Sequence, residues 1–373
     1  MKVTEIPGKI DWLIFFIATA LLLFSVPFVY SASAYVASQK FGSSEGIVMN
    51  QILRVGLSLA FIILFTRIDY HRYKHYAKLL YILGIGALVI VLFVGAKTKG
   101  AVRWIDIGGV SLQPSEFAKY TLVIFIAAWL SDNFNKLNDF KKGLLPVLGA
   151  GALVIGLIAL QPNFSSAFVI SVIVLSMLFV GNVRLQYFIT ILGIAISLLG
   201  IYGVSAEYRM KRIMSFIGMG DSQSSNYQLE QALIAFANGG FFGVGPGQSN
   251  QRDKFLPESY SDFISSIIGE EYGFFGIFIM ITLYGLFLYR GLRVARFAPD
   301  RFGSMLAFGI TITISAYAFV NVGVNCGILP TTGLPLPFLS YGGTAVLFSA
   351  MAVGILLNIA SQSGMFPDTK KSS

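Results

Sequence analysis

DWLIFFIATALLLFSVPFVYSAS, residues 11–33, decides the fold. After Asp11 it carries no Asp, Glu, Lys or Arg, and it reaches the roughly 20 residues a helix needs to cross the hydrocarbon core. Similar apolar runs recur at 51–67, 79–96, 117–131, 143–161, 163–181, 185–205, 264–289, 303–325 and 339–361, so the chain reads as ten spans. The first is not a secretory signal: it is too long, lacks a clear small-residue cleavage site, and nine more follow. Over all 373 residues, 55% are hydrophobic and 12% charged, about half the charge of a soluble domain. That leaves too little polar surface for a soluble enzyme, a disordered chain or a nucleic-acid-binding domain. Cys326 is the single cysteine, which excludes an intramolecular disulfide and argues against a thiol-ligated metal cluster. The expected architecture is all-α: one polytopic membrane domain, residues 1–373, with about ten transmembrane helices.

Lys and Arg set the orientation. With the N-terminus inside, sixteen of the 27 fall in inner segments, among them Arg67, Arg72, Lys74, Arg290 and Arg301. Arg54, Arg103, Lys119, Arg209, Lys211, Arg212 and Arg252 are among those at the outer face. Ten spans then place both termini in the cytoplasm. The net charge of +9 is mainly a topology signal and points to no nucleic-acid partner. No Asp, Glu, Lys or Arg lies in the middle of a span, which argues against an ion-driven carrier and directs attention to the outer boundary.

Two outer connections are more than linkers. One is AKTKGAVRWIDIGGVSLQPSE, residues 96–116; the other, about 206–262, lies between the seventh and eighth spans and contains the near-helical NYQLEQALIAFANGG. Long connections in compact proteins carry function or are disordered, and this one is rich in apolar side chains. GGFFGVGPGQSN, residues 239–250, is either a backbone cradle for phosphate or a bend where a surface helix turns back. His71 and His75 have a metal-binding spacing on a helix, but they sit in a basic inner loop with only Asp69 in support, which favours a solvated loop.

GAVRWIDIGGVSLQPSEFAK (100–119), FLPESYSDFISSIIGEEYG (255–273) and GILPTTGLPLPFLSYGGT (327–344), in that order, resemble the SEDS family of bacterial cell-shape, division and sporulation proteins, which includes FtsW, RodA and SpoVE. YRMKRIMSF and QLEQALIAFANGGFFGVGPGQS extend the likeness along nearly the whole chain. LPTTGLPLPFLSYGG with GQSNQRDKFLPE resembles FtsW more than RodA. The resemblance implies a peptidoglycan glycosyltransferase that polymerises lipid II at the outer face of the cytoplasmic membrane. Undecaprenyl pyrophosphate leaves, and the septum in cell division is the implied setting. Implied partners are lipid II, a class B penicillin-binding protein and other divisome proteins. A flippase for lipid II, the elongation polymerase and a recruiting scaffold are the rival readings. Two positions depart from the family: Asn163 replaces a carboxylate in the turn QPNFSS, and Thr332 stands where a lysine often precedes Gly333.

Transfer from a pyrophosphate needs a base for the attacking hydroxyl and positive charge or a metal for the leaving group. Asp262 matches the essential aspartate of the family pattern P-E-x-x-x-D-F-I, which makes it the catalytic candidate. Read alone, it serves equally as a helix N-cap. Glu258 shares the acid–base work, joins Asp262 on a metal, or faces water. Glu116 and Lys119 are i,i+3 and pair on one helix face, either as a structural lock or as part of the groove. Arg103, beside Trp104, and the pair Arg209 and Arg212 offer charge for pyrophosphate; the latter two equally suit snorkelling to lipid phosphates. Gln113, Ser115 and Ser340 complete the substrate-binding set, Ser340 also being suited to cap the last span. No cofactor is called for, although a divalent cation (Mg or Mn) is compatible with pyrophosphate. Glu270 and Glu271, set into a helix, need at least one basic partner.

Overall fold

The structure, a computed structural model, describes residues 10–41, 45–98, 101–107, 110–205, 223–256 and 259–363, with Met210, Met214 and Phe216 between them. Each expected span is one long helix. They are α1 (Trp12–Phe41), α2 (Glu45–Thr66), α4 (Ala77–Val94), α5 (Pro114–Asp132), α6 (Leu145–Leu160), α7 (Phe164–Val180), α8 (Leu185–Val204), α11 (Ile264–Phe297), α12 (Arg301–Asn325) and α13 (Thr344–Gln362). Three shorter helices join them: α3 (His71–His75), α9 (Gln223–Gly239) and α10 (Asn250–Lys254). Among the described residues, eight helices are long and apolar enough to cross a membrane. α7 is apolar but shorter, and α5 carries Glu116 and Lys119 near its start. The chain is a multi-pass membrane protein.

The boundaries differ from the sequence reading where polar residues continue a helix or special backbone stops one. α2 reaches back to Glu45 and α5 to Pro114; proline at the first turn of a helix sacrifices no hydrogen bond. The last helix begins only at Thr344, not at residue 339, because Gly343 takes φ 56°, a conformation open to glycine. The connection at 96–116 is not purely irregular either. Ala96–Thr98, Ala101–Ile107 and Val110–Leu112 form a three-stranded antiparallel sheet, β1–β2–β3, adding a small β element to the all-α expectation. Its signal is the alternation in AVRWIDI and the Gly-Gly pair between Ile107 and its partner Val110, a hairpin signature.

Polar contacts sort the helix ends into two faces. At one, Asp11, fully buried, pairs with Arg290 at 2.8 Å. Tyr70 donates from its backbone to Asn358 (2.9 Å) and from its hydroxyl to Asp300 (3.1 Å), and Lys74 pairs with Asp132 at 2.7 Å. His71 lies between Asp69 (2.8 Å) and Asp300 (3.2 Å). Partial burial raises the Asp69 carboxyl, but hydrogen bonds from His71 and Gln362 leave it below its ordinary value. His71 and His75 belong to no cluster able to hold a metal among the described residues. This end collects the segments assigned to the cytoplasm; the opposite end collects the three motif segments. Reporter fusions at Tyr227 and Gln248 are therefore expected to read extracytoplasmic, and fusions at Lys74 and Ser361 cytoplasmic. A cytoplasmic signal at Tyr227 would invert the arrangement.

Candidate active site

The outer end is assembled around Asp262, which is half-buried where the long connection meets α11. Its side chain accepts from Ser261 Oγ at 2.9 Å. The N-cap of α11 is Phe263, which supplies no side-chain bond, so the capping role considered for Asp262 falls to a neighbour that has no oxygen to offer. The Asp262 backbone is held from below: its carbonyl accepts from Asn321 Nδ2 (2.8 Å) and Asn325 Nδ2 (3.1 Å), one turn apart on α12. Ser265 and Ser266 of α11 donate to the two amide oxygens at 3.2 and 2.8 Å. Asn321 also donates to the Leu334 carbonyl at 2.7 Å, tying the aspartate to the 327–343 loop. That loop lies close above the carboxylate: a Cβ on Gly333, at φ 70°, would stand 3.2 Å from Asp262 Oδ2.

Ser340, with no exposed surface, donates to the Ser261 carbonyl (2.6 Å) and accepts from Leu336 N–H (2.8 Å). Both bonds hold the stretch of chain before Asp262, and Ser340 does not cap the last helix, whose N-cap is Gly343. Trp104 lies against Gly343, where a Cβ would meet its ring at 3.5 Å. Gln113 N–H bonds Thr344 Oγ1 at 3.1 Å. Arg103 donates through Nε to the Gln161 carbonyl at 3.1 Å and through Nη2 to the Pro162 carbonyl, pinning the α6–α7 turn. In that turn Asn163 caps α7, its Oδ1 accepting from Ser166 N–H at 3.3 Å, a task that needs no carboxylate. Ser165 then donates to the Thr332 carbonyl at 2.7 Å, so the two positions that depart from the family pattern flank one hydrogen bond.

Glu116 and Lys119 are paired at 2.6 Å with side chains 3% and 4% exposed. The ammonium sits 3.8 Å from the Tyr317 ring. The cavity beside them, under Pro335–Pro337, is about 10 Å³, room for about one water. The buried pair lies beneath the 335–342 loop. Ser115 is buried beside it, its hydroxyl without a hydrogen-bond partner among the described residues. Arg209, Arg212 and Glu258 lie outside the described residues.

The glycine-rich stretch is a bend, not a cradle. The N–H groups of Val244 and Gly245 donate to the Glu270 and Glu271 carbonyls (2.9 and 3.1 Å), and that of Gly243 to Gly239 (2.7 Å). α11 breaks there at Gly273, φ 67°, where a Cβ would fall 2.5 Å from Gly243 N. The adjacent carboxylates are satisfied separately. Glu270 accepts from Ser249 and, at 3.3 Å each, from Asn238 and Gln251. Glu271 accepts from Ser31 and lies 3.7 Å from Arg252, the expected basic partner.

A second feature lies to the side. α8 is apolar along its length yet buries only Gly203. Between it and α6 and α7 runs an apolar cavity of about 530 Å³, reaching from Phe140 and Tyr187 to Ala159, Ala167 and Tyr202. Ala159, Ala167 and Tyr202 lie toward the outer ends of these three helices.

The Asn321–Asn325 pair is the part of the site missed from sequence. Its signal was present: two asparagines at i,i+4 in an otherwise apolar span must find buried partners. Asn321→Asp keeps size and removes the donor. It is expected to lower turnover at the site roughly ten- to a hundredfold with KM little changed. A change confined to thermal stability would make the pair merely structural.

Residues 11–364 match the family described as "Cell cycle protein", the FtsW, RodA and SpoVE group. "Probable peptidoglycan glycosyltransferase FtsW" of Geobacter metallireducens is 36% identical over 358 residues, 95% of each chain. "Stage V sporulation protein E" of Bacillus subtilis is 38% identical, covering 95% of this chain and 97% of its own. A chain described under "Structural coordination of polymerization and crosslinking by a peptidoglycan synthase complex" superposes with TM-score 0.78 at 26% identity, over 94% of this chain and 98% of that one. The rod shape determining protein RodA of Thermus thermophilus has TM-score 0.69 at 24% identity, over 95% and 98%, and speaks to the fold alone.

Proposed function

Because the chain belongs to the SEDS family of FtsW, RodA and SpoVE cell cycle proteins, we propose that it acts as its FtsW relatives are named, as a peptidoglycan glycosyltransferase, and that Asp262 is its base. The carrying observation is that the 327–343 loop lies over one half-buried carboxylate at the outer end, while the 100–119 segment packs on the far end of that loop at Gly343 and Thr344. The substrate is lipid II. The acceptor sugar's 4-hydroxyl attacks the anomeric carbon of the donor, and Asp262 takes the hydroxyl proton. A carbon–oxygen bond forms as the bond to pyrophosphate breaks, and the electron pair leaves on the pyrophosphate. The apolar cavity along α8 suits the isoprenoid tail. We assign the protein to the division septum, working with a class B penicillin-binding protein and other divisome proteins.

A divalent cation would draw on the substrate's own phosphate oxygens. No cluster of three His, Cys, Asp or Glu able to hold a metal occurs among the described residues. One carboxylate plus phosphate oxygens is an ordinary magnesium site, and Asp262 would supply that carboxylate. The deciding experiment is glycan-strand synthesis from lipid II by the purified protein, with and without its penicillin-binding protein. Transport of lipid II across vesicles without polymer would establish the flippase instead.

A further inference from the structure

The glycosyltransferase reading requires positive charge for the departing pyrophosphate, yet three of the four outer cations whose side chains are described are already committed. Arg103 is held by the Gln161 and Pro162 carbonyls, Lys119 by Glu116, and Arg252 by Ser31, the Gly247 carbonyl and Glu271. Arg54, on α2, is different. It shares the inward face of that helix with Ser58 and Ile62, both fully buried. Its Nη1 is itself buried and has no hydrogen-bond partner among the described residues. The guanidinium lies over the Tyr341 ring, 4.1 Å from its centroid. Tyr341 packs edge-on against Tyr260, and its N–H donates to the Tyr260 carbonyl at 3.0 Å. Asp262 is two residues beyond, and Ser340, next to Tyr341, holds the carbonyl of Ser261.

A half-buried guanidinium with an unanswered N–H is expensive to maintain. Stacking on tyrosine fixes its plane while leaving its edge to donate, and that edge suits the paired oxygens of a phosphate. We propose that Arg54 binds the pyrophosphate of the lipid-linked substrate and takes up the negative charge that develops as the glycosidic carbon–oxygen bond breaks. The inference rests on the glycosyltransferase reading for the identity of the anion. An arginine snorkelling to ordinary lipid head groups would instead turn its edge outward and show no preference for pyrophosphate.

The test uses the full chain in phosphatidylcholine nanodiscs. Modification of Arg54 by phenylglyoxal is followed by mass spectrometry with undecaprenyl pyrophosphate, undecaprenyl phosphate or phosphatidylglycerol added. Undecaprenyl pyrophosphate is expected to protect Arg54 severalfold, the monophosphate less and phosphatidylglycerol not at all. Equal protection by phosphatidylglycerol, or none by the pyrophosphate, overturns the proposal without any mutant needing to fold. Arg54→Met keeps the packing on Tyr341 and should weaken undecaprenyl pyrophosphate binding about ten- to a hundredfold, the usual range for a lost charged hydrogen bond. If wild type polymerises lipid II and Arg54→Met binds and polymerises equally well, the Arg54 assignment fails alone. If wild type makes no polymer but pyrophosphate still protects Arg54, the glycosyltransferase reading fails and the pyrophosphate site stands.

Discussion

Asp262→Asn is expected to insert, fold and associate as wild type does, yet to polymerise lipid II about 10²–10⁴-fold more slowly, the usual contribution of a general base. The fold has little reason to notice the change. The helix that follows is capped at Phe263, and the bonds that fix this stretch of chain run to the Asp262 carbonyl, which asparagine retains. Asparagine also keeps an oxygen for Ser261 Oγ. Rate measured on purified protein, beside its thermal melting temperature, separates chemistry from stability. Polymerisation within a few-fold of wild type would remove Asp262 from the chemistry and return attention to Glu258.

The second large effect concerns Glu116 and Lys119. Their burial makes each the obligate partner of the other. Glu116→Gln strands an ammonium and Lys119→Met strands a carboxylate, each at about 3–5 kcal/mol. Both variants are expected to melt far earlier than wild type or to fail to accumulate. Exchanging the two charges restores a pair in the same place and should recover much of the loss, short of the contact between Lys119 and the Tyr317 ring. A swapped protein that melts normally but makes no glycan would show that Lys119 meets substrate directly, against its burial in the structure.

The spans were legible because a bilayer imposes length and composition on every crossing helix, and ten apolar runs became ten helices. The ends were less so. Whether a helix continues into polar residues, as α2 does back to Glu45, or stops early, as at Gly343, depends on neighbours that periodicity does not reveal. The site was legible as motifs but not as roles. Arg103 and Ser340 read as substrate contacts from residue type alone. In the structure each is spent on backbone carbonyls that hold the turn at 161–163 and the stretch before Asp262. Hydrogen-bond partners distant in sequence carry that distinction, and a single chain of letters does not name them. The clamp from Asn321 and the stacking of Arg54 on Tyr341 are long-range for the same reason.

The first helix is joined to α11 at both ends, Asp11 to Arg290 and Ser31 to Glu271, across sequence separations of 279 and 240 residues. Those distances are also delays. At the roughly 5–20 residues per second of synthesis, α1 enters the membrane some tens of seconds before the residues that complete it exist. Asp11, which ends with no exposed surface, must stay hydrated at the inner boundary throughout that interval. The first-made helix can pack on α2 early, through Gln51 to Ser25, but a ribosome that stalls before residue 290 leaves its two polar anchors unanswered and open to detection by membrane quality control.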